Sequence, residues 1–118
     1  MKTAQDPRHK RRQKLVKNLF SYSFHSEQAF PKNLKPIQPH LVKIDKLIGL
    51  ATPQFPPEKL NKIDLAILRL AVFELMIERN VPVKVIIDEA VELGKEFGSD
   101  KSPKFINGVL GTLIKKHD

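Results

Sequence analysis

Arg8, His9, Lys10, Arg11 and Arg12 stand side by side near the start of the chain. Guanidinium and ammonium groups at this density neutralise successive phosphates, and arginine also stacks on unpaired bases. Residues 1–18 hold seven Lys and Arg against Asp6 alone, so +6 of the net +8 lies there and the remaining hundred residues are nearly balanced. The same cluster also reads as a solvated terminus that aids solubility. A membrane-surface or calmodulin-target helix fits less well, because the cations crowd one end instead of running along a face. A nucleic-acid strand is the partner the cluster fits best. A second cationic point lies near the other end, where Lys101 and Lys104 precede Phe105. An aromatic so placed would stack on a base. Periodicity alone favours the core for Phe105, since the pairs Phe105/Ile106, Val109/Leu110 and Leu113/Ile114 recur every four residues.

Little else in the chain suggests reaction chemistry. Asp88, Glu92 and Glu96 fall on one helix face, but no histidine pattern accompanies them, so a solvated or docking face is favoured over a metal or acid–base site. His9, His25, His40 and His117 lack ligand spacing. The absence of cysteine removes thiolate zinc, disulfides and cysteine nucleophiles, and it fits a reducing cytoplasm. No nucleophile, base and oxyanion site assemble, so neither an enzyme nor a cofactor nor a metal is expected. The basic start has no apolar segment after it and does not read as a secretory signal. Residues 63–77 are too interrupted by Asp64, Arg69 and Glu74 to span a membrane and read as a buried helix.

The elements that must position these groups are helical. Asp6-Pro7 is an N-cap followed by proline at the first helical position. Leu15, Val16, Leu19, Phe20 and Phe24 then form one apolar stripe, opposite Arg11, Lys14 and Lys17. Three prolines make residues 26–40 a loop, and a second helix ends near Ala51. Asn61 with Asp64 resembles a capping box for a third helix that stops near Asn80. A fourth runs from about Val83 to Phe97 with Gly98 as C-terminal cap, and Ser102-Pro103 opens the last. The expected fold class is all-α, one domain over residues 1–118, with a basic first helix and shortened bundle in 1–60 and a second bundle in 61–118.

Three ordered motifs resemble a known family. Residues 66–75 are similar to A-x-L-R-x-A-x-x-E-L, and residues 81–93 to V-P-x-x-V-x-I-N-E-A-V-E-L. Phe97-Gly98 followed by Lys104-Phe105-Ile106-Asn107-Gly108-Val109-Leu110 looks like F-G with K-F-V-N-G-V-L. These are signatures of the NusB family. The segment from Arg11-Arg12 to Tyr22 resembles its arginine-rich first helix more weakly, and residues 26–60 show no match. The resemblance implies a NusB-like two-lobed helical bundle spanned by the first helix. It implies binding of boxA-type RNA together with NusE, a small-subunit ribosomal protein, in an RNA polymerase antitermination complex supporting ribosomal RNA transcription. It places RNA contacts on Arg8, Arg11, Arg12, Lys104 and Phe105, and partner contacts on Phe20 and Asp64; Lys10 and Lys101 join the expected RNA face by their charge.

Arg69, Glu74 and Asn107 read as structural hydrogen-bonding residues, and Gly108 as a point of close helix approach. The chain departs from the family in its short middle, in Gly94 and Gly111 where helix formers are usual, and in Lys101 within a loop that is often acidic. Two other functions compete. One is a protein-only adaptor that kept the fold and lost RNA binding. The other is a relative of the NusB-like domain of ribosomal RNA cytosine methyltransferases, whose methyl-donor domain residues 1–118 do not contain.

Overall fold

Asp6 opens the first helix. Its Oδ1 accepts the Arg8 N–H at 2.9 Å and its carbonyl accepts the Lys10 N–H at 3.0 Å. Pro7 fills the first helical position, where an N–H would have no helical partner. The protein is described by a computed structural model over residues 6–24 and 30–116. Helix α1 spans Pro7–Phe24, α2 Leu41–Ala51, α3 Lys62–Val72, α4 Val83–Phe97 and α5 Ser102–Lys116. No strand occurs among the described residues, and the all-α expectation holds. Of the expected loop, residues 26–29 lie outside the described set. The rest contains two tight turns, Lys32–Leu34 and Gln38–His40, and buries Leu34 and Ile37.

Helix α3 is apolar nearly all round, as a central helix must be. Leu65, Ala66, Ile67, Leu68, Leu70, Ala71 and Val72 are all buried. It packs against α1, α2, α4 and α5. One continuous core joins Leu19, Ile44, Leu60, Ile67, Leu93 and Leu110, and it runs across residue 60 without a break.

Asn61 caps α3 through Oδ1, which accepts from Ile63 N at 2.9 Å and Asp64 N at 3.3 Å. The reciprocal half of the expected capping box is not made: the Asp64 side chain is buried, and its Oδ1 has no hydrogen-bond partner. After Val72 the helix widens to a π-type turn, Phe73–Glu78, closed by Arg79 with φ 57°. That left-handed conformation costs a non-glycine residue roughly 1 kcal/mol. Arg79→Gly is therefore expected to raise the unfolding free energy by about 0.5–1 kcal/mol in urea denaturation. A decrease would mean that the Arg79 side chain contributes more than its backbone strain removes.

Two glycines allow α4 and α5 to meet. A Cβ on Gly94 would lie 3.0 Å from Ile106 Cδ1 and 3.4 Å from Pro103 N. One on Gly98 would collide with the Ser102 side chain. Gly98 ends α4 as expected, but in an extended conformation (φ −95°) and not a left-handed one. Gly108 serves no close approach: a Cβ there would meet nothing within 4 Å, and both Gly108 and Asn107 are exposed.

Candidate nucleic-acid interface

Burial divides the basic cluster into two sets. Arg8, Lys10 and Arg11 are exposed, and Arg8 reaches back to Asp6 at 3.2 Å. That contact holds the Asp6 carboxyl below its ordinary value. Lys10, Arg11 and Lys14 line a cleft of about 310 Å³ with Asn33.

Arg12 belongs to the other set, which corrects its expected place on the RNA face. It is 5% exposed. Its Nε and Nη2 donate to the two Glu74 oxygens at 2.9 and 2.8 Å, and its Nη1 donates to Glu89 Oε1 at 3.0 Å. The planar fork matches the carboxylate, so the pair is geometrically specific as well as charged. Hydrogen bonding to Glu74 raises the Arg12 guanidinium above its ordinary value despite burial. A guanidinium so committed has no fork left for a phosphate. His9 is likewise buried, between Glu89 and Glu96. The signal was present: His9 and Arg12 stand three residues apart and lead directly into the buried positions Leu15, Val16 and Leu19. Periodicity assigned to apolar residues alone misses it.

Glu74 is structural as expected, with Arg12 as its partner. Arg69 pairs instead with Asp45, through Nε at 2.9 Å and Nη2 at 2.8 Å. Of the supposed acidic face, Asp88 meets exposed Lys84 at 3.0 Å. Glu96, itself exposed, reaches across to His9 and Gln13.

The Glu96 contacts tie the first turns of α1 to the last turn of α4. Residues 98–101 then lead straight into α5. The start of α1 therefore lies by the end of α4, from which the chain passes through Lys101 to Lys104. Lys101, Lys104 and Phe105 line one groove of about 660 Å³ with Phe55, Lys59 and Asp64. Phe105 is half-buried, with one side against the core and the other on the groove. Phe105→Ala is expected to lower stability by less than the about 3–5 kcal/mol of a fully buried phenylalanine. It is also expected to weaken RNA binding by about 1–3 kcal/mol at every salt concentration. Unfolding curves and RNA titrations at several salts separate the two effects, and unchanged affinity of the folded fraction returns Phe105 to the core alone.

Asp64 is 8% exposed, and its Oδ1 has no hydrogen-bond partner. Burial pushes the carboxyl above its ordinary 3.8, an effect partly opposed by the Ser102 hydroxyl. The folded chain therefore binds this proton more tightly than the unfolded chain. Stability contributed here falls as pH rises from the ordinary value through the raised one, and the ionised penalty is complete above it. Asp64→Asn is expected to be at least as stable as the parent at neutral pH and to lose that fall. Denaturation midpoints across the acid range check it, and a variant less stable at neutral pH contradicts it.

Phe20 and Phe24, expected in the buried stripe, are 36% and 55% exposed. Their rings meet edge-on at 5.0 Å and 73°. Phe20 does not line the Asp64 groove. His40 lies against Phe73, while His25 and His117 fall outside the described residues. Among the described residues no His, Cys, Asp or Glu group is arranged to hold a metal ion. No described helix is long and apolar enough to cross a membrane.

These features define a small helical-bundle protein with a cationic end and an aromatic-edged groove. The NusB family model matches residues 8–115, so the chain belongs to the NusB family. The match takes in the middle region in which the motifs showed no resemblance. The chain is 46% identical over 80 residues to the transcription antitermination protein NusB of Chloroflexus aggregans, covering 66% of this chain and 53% of that one. With the same protein of Thermotoga maritima it shares 38% identity over 84 residues, 71% of this chain and 59% of that one. The chain thus spans little more than half the length of these curated relatives, both named as antitermination proteins and not as enzymes. The fold match reaches further. The solved T. maritima NusB superposes with a TM-score of 0.85 at 31% identity, over 98% of this chain and 94% of that one. NusB from a solved complex of NusB and NusE with double-stranded RNA shares the fold, at TM-score 0.79 and 21% identity over 92% of this chain and 96% of that one.

Proposed function

We propose that this chain binds boxA-type RNA cooperatively with NusE and joins an RNA polymerase antitermination complex in the cytoplasm, supporting ribosomal RNA transcription without catalysing a reaction. The observations that support the reading are two: Arg8, Lys10 and Arg11 are exposed on the first turns of α1, which Glu96 ties to the end of α4, and Lys101, Lys104 and Phe105 line one groove at the start of α5. The cations supply phosphate contacts, and the free side of Phe105 supplies a stacking surface. Base stacking and phosphate neutralisation suit an unpaired RNA strand, whose bases are open to side chains. For NusE the reading keeps the two positions that the family resemblance implies: Asp64 at the groove and the exposed ring of Phe20 on α1.

The test is a titration of labelled boxA RNA and of a scrambled RNA, with and without NusE. The reading expects tighter binding of boxA than of the scramble, and further tightening when NusE is present. Binding of NusE with no affinity for either RNA would instead identify a protein-only adaptor.

A further inference from the structure

Phe55 lies on the link between α2 and α3 and is 54% exposed. One apolar side chain on a surface needs no explanation by itself. Phe55 stands apart in how firmly it is held and in what surrounds it.

The turn that carries the ring is fixed at several points. The Phe55 N–H donates to the Thr52 carbonyl at 3.0 Å, and the Thr52 N–H donates to that of Gly49 at 3.2 Å. The Thr52 hydroxyl lies 2.9 Å from the Ile48 carbonyl oxygen and 3.1 Å from that of Phe55, so it ties the turn to the end of α2. Pro53 and Pro56 lock their own φ, and Pro56 also restricts Phe55 toward extended backbone. Pro57 packs over α2 so closely that a Cβ added at Gly49 would touch its ring at 3.5 Å. A ring presented by such a turn has little backbone freedom left to lose on binding.

The surroundings indicate the ligand. Phe55 lines the same groove as Phe105, so two rings from separate elements border one space. The exposed lysines of that groove are Lys59, Lys101 and Lys104, set against Asp64 and Asp100. The lysines suit phosphates. The carboxylates repel phosphate but accept from the amino groups of bases. A base inside the groove, with its phosphates turned to the lysines, meets all three kinds of group. A second hollow of about 410 Å³ shares Lys104 and Phe105 with the first, and Thr52, Pro53 and Gln54 of the same turn line it. The turn therefore follows both hollows that Phe105 borders.

We infer that Phe55 is a second base-stacking platform, and that an unpaired RNA base enters the groove it shares with Phe105. Lys59 adds a phosphate contact beside it. The inference deepens the RNA-binding reading above and rests on it.

Three substitutions at this one position test it. Phe55→Ala is expected to weaken binding of boxA RNA on the order of tenfold. Stacking is largely uncharged, so the salt dependence should keep its slope. The unfolding midpoint should move little, because the side chain is more than half exposed. Phe55→Leu keeps an apolar side chain without a π-face, and it should lose affinity as well. The chain has no tryptophan, so Phe55→Trp places the protein's one indole in the groove. Its emission is expected to be quenched by boxA RNA added without NusE. Parental affinity in the alanine or the leucine variant would overturn the platform. Emission that responds to NusE and not to RNA would overturn it too, and would make the groove a protein-docking site. A parent that binds RNA beside an unaffected alanine variant removes the platform alone. A parent that binds no RNA removes the functional reading and the platform with it.

Discussion

Replacing Arg12 by alanine lowers the unfolding free energy by about 3–5 kcal/mol, the effect of removing one partner from a buried ion pair. A small domain has only about 5–15 kcal/mol in total, so the variant is expected to be partly unfolded at moderate temperature. Most of the loss does not measure attraction in the parent. Glu74 and Glu89 stay behind at 3% and 4% exposure, and Glu74 loses two hydrogen bonds and Glu89 one to the missing guanidinium. Replacing Arg12, Glu74 and Glu89 together by apolar residues of similar volume should recover part of the stability, because the buried guanidinium and both carboxylates go together while His9 Nδ1 loses its Glu89 partner. Urea denaturation of the single and triple variants measures both. A stability loss under about 1 kcal/mol for Arg12→Ala, with a large loss of RNA affinity in the folded protein, would return Arg12 to the RNA face.

Removing Arg8, Lys10 and Arg11 together should do the opposite, leaving the fold intact and the affinity reduced. All three are exposed, and α1 keeps its Arg12 and His9 anchors. On a single strand, every phosphate deprived of its cation takes roughly 0.7 off the slope of log affinity against log salt, so the triple alanine variant should show a slope smaller by about 2. Taking 1 M salt as the point where the electrostatic difference vanishes, that slope implies about a hundredfold weaker binding near 0.1 M. Titrations across salt concentrations measure it. An unchanged slope would make the basic end a solubility feature.

The contrast between these variants shows what the residues disclosed and what they concealed. Helix ends were legible because they depend on neighbours in sequence: Asp6-Pro7, Asn61 and Ser102-Pro103 act on backbone groups within three or four positions. The core face of α5 was legible for the same reason. Arg12 was not, because charge density near a terminus suggests solvent. Its partners, Glu74 and Glu89, lie 62 and 77 residues away, and only tertiary packing brings them together. Phe20 and Phe24 failed differently. Their spacing matched the apolar stripe, but among the described residues both rings stay on the exposed side of α1, while Tyr22 and Ser23 of the same turn meet Phe30 and Arg69. Asn107 and Gly108 sat in a matching motif and were assigned an interior role, although that side of α5 faces solvent. Motif similarity located the groove residues, whereas burial decided which basic residues accompany them.

Photo-crosslinking of boxA RNA to the protein, followed by peptide mapping, tests the location of the interface most directly. Crosslinks are expected on peptides carrying Arg8, Lys10 and Arg11 and on the peptide spanning Lys101, Lys104 and Phe105. Excess scrambled RNA should compete less well than excess boxA RNA for both sets. Crosslinks confined to α2, around Lys43 and Lys46, with neither of those peptides labelled, would contradict the account.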